Sequence, residues 1–203
     1  MRRTIIGIFA TSLAVLAMGA ADDDQGFQPI FNGKDLSGWK VPTPNPWWEV
    51  KDGILVGHSD PNDPKKKGDV LYTEKSYKDV ILDADCRWNG EIDSGFFFRK
   101  PDLQVQIGIS RSLKKDMTGS LYGKDKYAGK EAKGVDKALK LGDWNHFKVE
   151  VKGNRWQVWL NGTEVLDWTD TKNLYKDAGP IGLQIHPGLE MKVEFKDLKV
   201  KEL

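Results

Sequence analysis

The chain has 203 residues, with 31 Lys and Arg against 30 Asp and Glu and a formal net charge of +1. That balance lacks the basic excess of a nucleic-acid binder. Cys86 is the only cysteine, so an intramolecular disulfide framework is excluded and a hydrophobic core must carry stability.

In chain order, "MRRTIIGIFATSLAVLAMGAA" (1–21) sets Arg2 and Arg3 before an apolar run from Ile5 to Met18, then small residues at Gly19, Ala20 and Ala21. This layout predicts a secretory signal peptide, with a run short for a membrane span. An uncleaved anchor is the alternative, opposed by the abrupt switch to Asp22-Asp23-Asp24. The expectation is a signal peptide over 1–21, a short linker over 22–26 and a single domain over 27–203. The protein is then exported, periplasmic or secreted, and free of the membrane after cleavage. About 180 residues are enough for one sizeable core.

Beyond the leader, short apolar alternations recur between Gly, Pro, Asn and Asp, which predicts an all-β sandwich without a convincing helix. In "DVILDADCRW" (79–88), Val80, Leu82, Ala84 and Cys86 share a face, so a buried inert thiol is expected over a reactive one. "SGFFFRKPDLQVQIG" (94–108) reads as two strands joined by a Lys-Pro-Asp turn. Gln104 and Gln106 point to one face, Val105 and Ile107 to the other.

"HFKVEVKGNRWQVWLNGTEVLDW" (146–168) predicts a three-strand meander with turns at Gly153-Asn154 and Asn161-Gly162. "GLQIHPG" (182–188) sets Gln184 and His186 opposite Leu183 and Ile185. In "EMKVEFKDLKVKEL" (190–203) the apolar phase runs Met191, Val193, Phe195, then slips to Leu198 and Val200. A β-bulge near Lys196-Asp197 is predicted. Residues 61–69 and 110–143 read as loops, the second with a short strand at 119–122. Long irregular segments are often functional, but the lysines here are expected to form a solvated surface.

Of the eight tryptophans, Trp156 is in phase with the core and Trp159 with the opposite face. "EIDSG" (91–95) offers Glu91 and Asp93, but Gly95 and Phe96 stand where a retaining glycosidase needs a second carboxylate about 5 Å away. An ordinary retaining glycosidase is not expected. His58, His146 and His186 form no close-spaced ligand pair. His146 reads as surface, and His58 lies in "GHSDPNDP", where an oxygen-rich calcium-like site is conceivable. His186 differs in sharing a face with Gln184. No cofactor is called for, and a divalent metal ion is left open.

Nine segments in order resemble the 3-keto-disaccharide hydrolase domain family: "FQPIFNGKDLSGW" (27–39), "WWEVKDGILVG" (47–57), "LYTEKSYKDVILDADCRW" (71–88), "DSGFFFRK" (93–100), "LQVQIG" (103–108), "GSLYG" (119–123), "GDWNHFKVEVKGNRWQVWLNG" (142–162), "GPIGLQIH" (179–186) and "VEFKDLKVKEL" (193–203). The resemblance implies a two-sheet antiparallel jelly roll of the concanavalin A-like lectin and glucanase type. It also implies exported enzymes acting on glycosides oxidised to a ketone at C3, in some members by 1,2-elimination followed by hydration. The ketone acidifies the hydrogen on C2, so the enzyme needs a base near C2 and donors for the enolate oxygen.

The expected site follows from these motifs. Arg99, Gln104 and Gln106 would hold hydroxyls and the keto oxygen on a concave face, with Gln184 beside them and His186 as base or acid. Tyr122 and Asn145 are further binding candidates. The chain departs from the family pattern at Gln104, where a carboxylate is usual, at Ile109-Ser110, at Asp93 and at Lys196. A non-catalytic carbohydrate-binding module on the same fold is the first alternative, and a laminin-G-like adhesion domain the second.

Overall fold

The computed structural model describes residues 25–203, so the expected signal peptide and residues 22–24 lie outside the described residues. The chain runs through β1 (Gln28–Pro29), β2 (Trp39–Lys40), β3 (Trp48–Lys51), β4 (Ile54–His58) and β5 (Asp69–Tyr77). β6 (Val80–Trp88), β7 (Asp93–Phe98), β8 (Leu103–Ser110), β9 (Lys115–Asp116) and β10 (Leu121–Tyr122) follow. After the one-turn α1 (Val135–Ala138) come β11 (Asn145–Lys152), β12 (Arg155–Leu160), β13 (Thr163–Thr169), β14 (Gly179–Ile185) and β15 (Lys192–Glu202).

These strands form a jelly-roll sandwich of two antiparallel sheets. The larger has the order β13-β12-β11-β6-β15-β4-β3, with β1 on β15; the smaller runs β10-β8-β7-β14-β5-β2, with β9 on β8. The meander forms as predicted, because Asn161 (φ 49°) and Gly162 (φ 81°) accept the left-handed backbone its second turn requires. The bulge is also present: the β15–β6 register shifts between Lys196 and Lys199, and Asp197 adopts φ 51°. This extra residue lets Phe195 and Leu198 both face inward despite their odd spacing.

The core fills the space between the sheets. Phe96 of the smaller sheet meets Phe147 and Phe195 of the larger at 5.6 and 5.8 Å, and Phe98 meets Trp156 edge-on at 5.9 Å. Truncating such a ring costs about 3–5 kcal/mol, so this layer pins the two sheets in register. Cys86 is fully buried and desolvation raises its thiol pKa well above the usual range, as an inert thiol requires.

Two details depart from expectation. Residues 110–143 hold β9, β10 and α1 rather than one short strand. Their lysines are not all solvated, because Lys130 is fully buried, with Nζ bonded to Asp125 and 5.5 Å from the Trp168 ring. Among the described residues no helix is long and apolar enough to cross a membrane.

Candidate functional site on the outer face of the smaller sheet

Alternation along the central strands sends Phe96, Val105, Ile107, Leu183 and Ile185 into the core. Asp93, Gly95 and Phe97 of β7, Gln104 and Gln106 of β8, and Gln184 of β14 face outward, and His186 follows in the same phase. Register aligns them: Gly95 pairs with Gln106, Phe97 with Gln104, and Tyr122 with Gln104 from the other side. Glycine makes this face a floor. A Cβ on Gly95 would collide with Gln104 Nε2, and one on Gly182 would come within 2.7 Å of the Tyr72 ring. Without those atoms, the Gln104 and Tyr72 side chains lie flat across the strands.

Two hydrogen-bonded chains organise the face. Gln104 Nε2 donates to Ser94 O at 2.9 Å and to Gln184 Oε1 at 2.8 Å. Gln106 Nε2 donates to Asp93 Oδ1 at 2.8 Å, while Gln106 Oε1 accepts from Tyr127 O–H at 3.0 Å. Asp93 Oδ2 accepts the Arg111 backbone N–H at 3.0 Å and lies 3.8 Å from His186 Nε2. Gln104, Gln106 and Asp93 are almost fully buried, whereas His186 keeps 32% of its side chain exposed. The amides are therefore the frame of the site, and the imidazole is its accessible group.

The histidine tautomer follows from its neighbour. His186 Nδ1 lies 2.7 Å from Pro187 O, and a carbonyl can only accept, so Nδ1 carries the hydrogen. The neutral ring then holds its lone pair on Nε2. Tyr127 is pushed up to about 12, chiefly by burial, and stays a neutral donor. Its ring lies 4.9 Å from that of half-buried Tyr122. At the far end Tyr72 O–H donates to Asp102 Oδ2 at 3.0 Å, and burial together with that carboxylate raises its pKa.

Thus Gln104, Gln106, Tyr122, Gln184 and His186 come together, and Arg99 and Asn145 do not join them. Arg99 has φ 61°, which breaks the alternation at the strand end and turns its side chain under the chain. It is buried, donating to Lys78 O, Gly153 O and Tyr175 O at 2.7–2.9 Å and to Asp79 Oδ1 at 2.7 Å. These four hydrogen bonds hold loops together. Asn145 opens β11 of the larger sheet, where it bonds Lys140, Asp143 and Asn161 at 2.8–2.9 Å and braces a turn.

A divalent ion finds no fitting cradle here. Gln104 presents N–H donors toward Gln184, whereas such a cation needs oxygen ligands. Among the described residues no three His, Cys, Asp or Glu side chains gather as a metal-binding group, at the His58 loop or elsewhere.

The face also contains residues that sequence reasoning passed over: Tyr72, Gly95, Asp102, Arg111, Tyr127 and Gly182. Gly95 and Gly182 lie in phase with the outward glutamines, a usable signal. Tyr127 comes from an irregular loop, closed by Leu121 N–H on Lys130 O and Lys130 N–H on Tyr127 O, where no periodicity exists to read.

The outer face of the larger sheet offers a contrast. His146 Nδ1 lies 2.9 Å from Asp85 Oδ1 and Nε2 3.1 Å from Asp83 Oδ2. These hydrogen bonds, first that to Asp83, raise its pKa to about 9 against the opposing effect of burial. Surface exposure was expected of His146; the paired carboxylates were not.

Residues 26–201 match the 3-keto-alpha-glucoside-1,2-lyase-like domain. No curated protein matches the chain. Among solved structures, a Parabacteroides distasonis protein named as a candidate glycosyl hydrolase is 23% identical with a TM-score of 0.67, covering 88% of this chain and 94% of that one. A prokaryotic β-1,3-1,4-glucanase from a mouse hindgut metagenome is 17% identical with a TM-score of 0.58 over 87% and 97%. A carbohydrate-binding module of Bacillus subtilis is 14% identical with a TM-score of 0.51 over 81% and 96%. At these identities the likeness is one of fold. The match over nearly the whole described chain assigns the family: this protein belongs to the 3-keto-alpha-glucoside-1,2-lyase-like domain family, a carbohydrate-active, glycosyl-hydrolase-like β-sandwich family.

Proposed function

We propose that the protein cleaves 3-keto-glycosides by elimination on the outer face of the smaller sheet, with His186 as the base. The observation that carries this reading is the meeting of His186, Asp93 and three glutamines on one floor in a chain of this family. Family membership supports the substrate class, and the half-open His186 imidazole supports its reading as the base.

The step balances without a cofactor. His186 Nε2 takes the proton from C2, and the C2–H electron pair becomes the C2=C3 bond of an enolate with its charge on the C3 oxygen. A lone pair of the C3 oxygen then re-forms the ketone, the C2=C3 pair becomes the C1=C2 bond, and the C1–oxygen bond breaks with its pair on the departing oxygen. The departing alkoxide takes the proton from the imidazolium. Water then adds across C1=C2. Asp93 stabilises the imidazolium while the proton is held. Gln184 Nε2, engaged in no described hydrogen bond, is available to a sugar hydroxyl. The reading includes export, supported by the signal-like sequence of residues 1–21.

The test is incubation of the protein with a 3-keto-glucoside, following loss of substrate and release of the aglycone. Turnover abolished by His186→Ala supports the enzyme. Binding without turnover supports the second reading, a carbohydrate-binding module, which the hydrogen bond from Gln104 to Gln184 favours as a rigid recognition surface. Neither binding nor turnover rejects both.

A further inference from the structure

Elimination places a negative charge on the C3 oxygen. The site therefore needs a cation or fixed donors aimed at that oxygen. Most tyrosine and amide donors of the floor are committed, Gln184 Nε2 and the Tyr122 hydroxyl excepted. Tyr127 donates to Gln106, Tyr72 to Asp102, Gln104 to Ser94 and Gln184, and Gln106 to Asp93. Arg99 is buried among loops.

Arg111 stands apart from the other described arginines. Arg87 pairs with Glu194, Arg99 with Asp79 and Arg155 with Asp167; the Arg111 guanidinium pairs with no carboxylate among the described contacts. Its backbone N–H binds Asp93 Oδ2, and Nη1 crosses to Gly188 O, two residues past His186. The residue thus ties Asp93, through its backbone, to the turn that follows His186, through its side chain. Its Nε and Nη2 make no described hydrogen bond, and the side chain is exposed.

We infer that Arg111 is a catalytic residue whose guanidinium donates to the C3 oxygen as C2 loses its proton. A guanidinium suits this role because it stays charged, presents several donors in a planar fork and is anchored here through one nitrogen. The inference rests on the elimination reading above.

A substrate analogue without a leaving group isolates the step. With 3-keto-1,5-anhydroglucitol in D2O, only enolisation occurs, and exchange at C2 is followed by NMR. Wild-type protein should exchange C2–H, and Arg111→Gln should exchange it about 10²–10³-fold more slowly with little change in KM. Arg111→Lys should lose less, and methylguanidinium should restore exchange to Arg111→Ala, a rescue that a purely structural role would not show. Exchange by Arg111→Gln at the wild-type rate, or a loss confined to KM, overturns the inference while leaving His186 in place. Wild-type protein inert toward both the analogue and a 3-keto-glucoside overturns the inference together with the reading beneath it.

Discussion

On the larger sheet His146 is held between Asp85 and Asp83 at 2.9 and 3.1 Å; on the smaller sheet His186 lies 3.8 Å from Asp93 and bonds a carbonyl through Nδ1. Both are outward-facing histidines beside acidic residues. The first has both nitrogens committed to carboxylates and stays an imidazolium through neutral pH. It can neither take a proton nor approach a ligand without breaking an ion pair. The second has one nitrogen fixed by an acceptor and the other open to the floor. A histidine beside an aspartate is thus not a functional signature. The number of its nitrogens already committed decides whether it can act as a base.

Removing the open imidazole should have the largest effect. His186→Ala is expected to lower turnover of a 3-keto-glucoside by about 10²–10⁴-fold, the usual value of a positioned base, while His146→Ala leaves turnover unchanged. Equal losses in both variants would erase the distinction between the faces. Next comes Arg99, whose side chain belongs to neither face. Arg99→Met should cost about 3–5 kcal/mol in urea unfolding, because it leaves three loop carbonyls without their donor and takes the ion-pair partner from Asp79, which keeps only the Gly153 N–H. Folded Arg99→Met should still bind sugar as wild type does; a selective loss of binding would return Arg99 to the site.

A smaller effect is expected from the floor itself. Gly95→Ala puts a methyl group into the space of Gln104 Nε2, and such overpacking costs about 1–3 kcal/mol. Ligand affinity, measured by calorimetry, should fall more than the melting point, because the displaced amide is the one joined to Gln184. The smallest effect belongs to His146. Its pKa is raised in the folded state from 6.5 to about 9 by Asp83 and Asp85, with Lys196 and Lys199 facing the same carboxylates. A proton held more tightly by the folded chain stabilises it fully below pH 6.5, and that contribution is lost as pH rises through about 9. At 43% exposure the effect is screened to at most about 1 kcal/mol. Urea midpoints from about pH 6 to 10 should therefore decline slightly in wild type, with the His146 component absent in His146→Gln.

The two faces also differ in how far the sequence reveals them. Gln104, Gln106 and Gln184 were legible because they lie on strands, where a period of two sends alternate residues outward, and His186 follows β14 by one residue in the same phase. The slip from Phe195 to Leu198 disclosed the bulge by the same logic. Arg99 was misplaced because alternation was extended one residue past the strand, into a position where φ is positive and the rule no longer holds. Asn145 was taken from a motif match, and its amide serves a turn. Tyr127 and Arg111 were missed because they reach the face from irregular segments.

What the sequence by itself determined is the two-sheet antiparallel fold, its core residues, the bulge in the last strand and the outward phase of the glutamines and His186. These depend on local backbone geometry and on the burial of apolar side chains, both written into nearest neighbours along the chain. Only the tertiary structure decided which outward residues meet. It gathered Asp93, Gln106, Tyr127, Arg111 and His186 from separate strands and loops, and it sent Arg99 elsewhere. Hydrogen bonds between side chains far apart in sequence depend on strand order, register and loop closure, which no local pattern encodes.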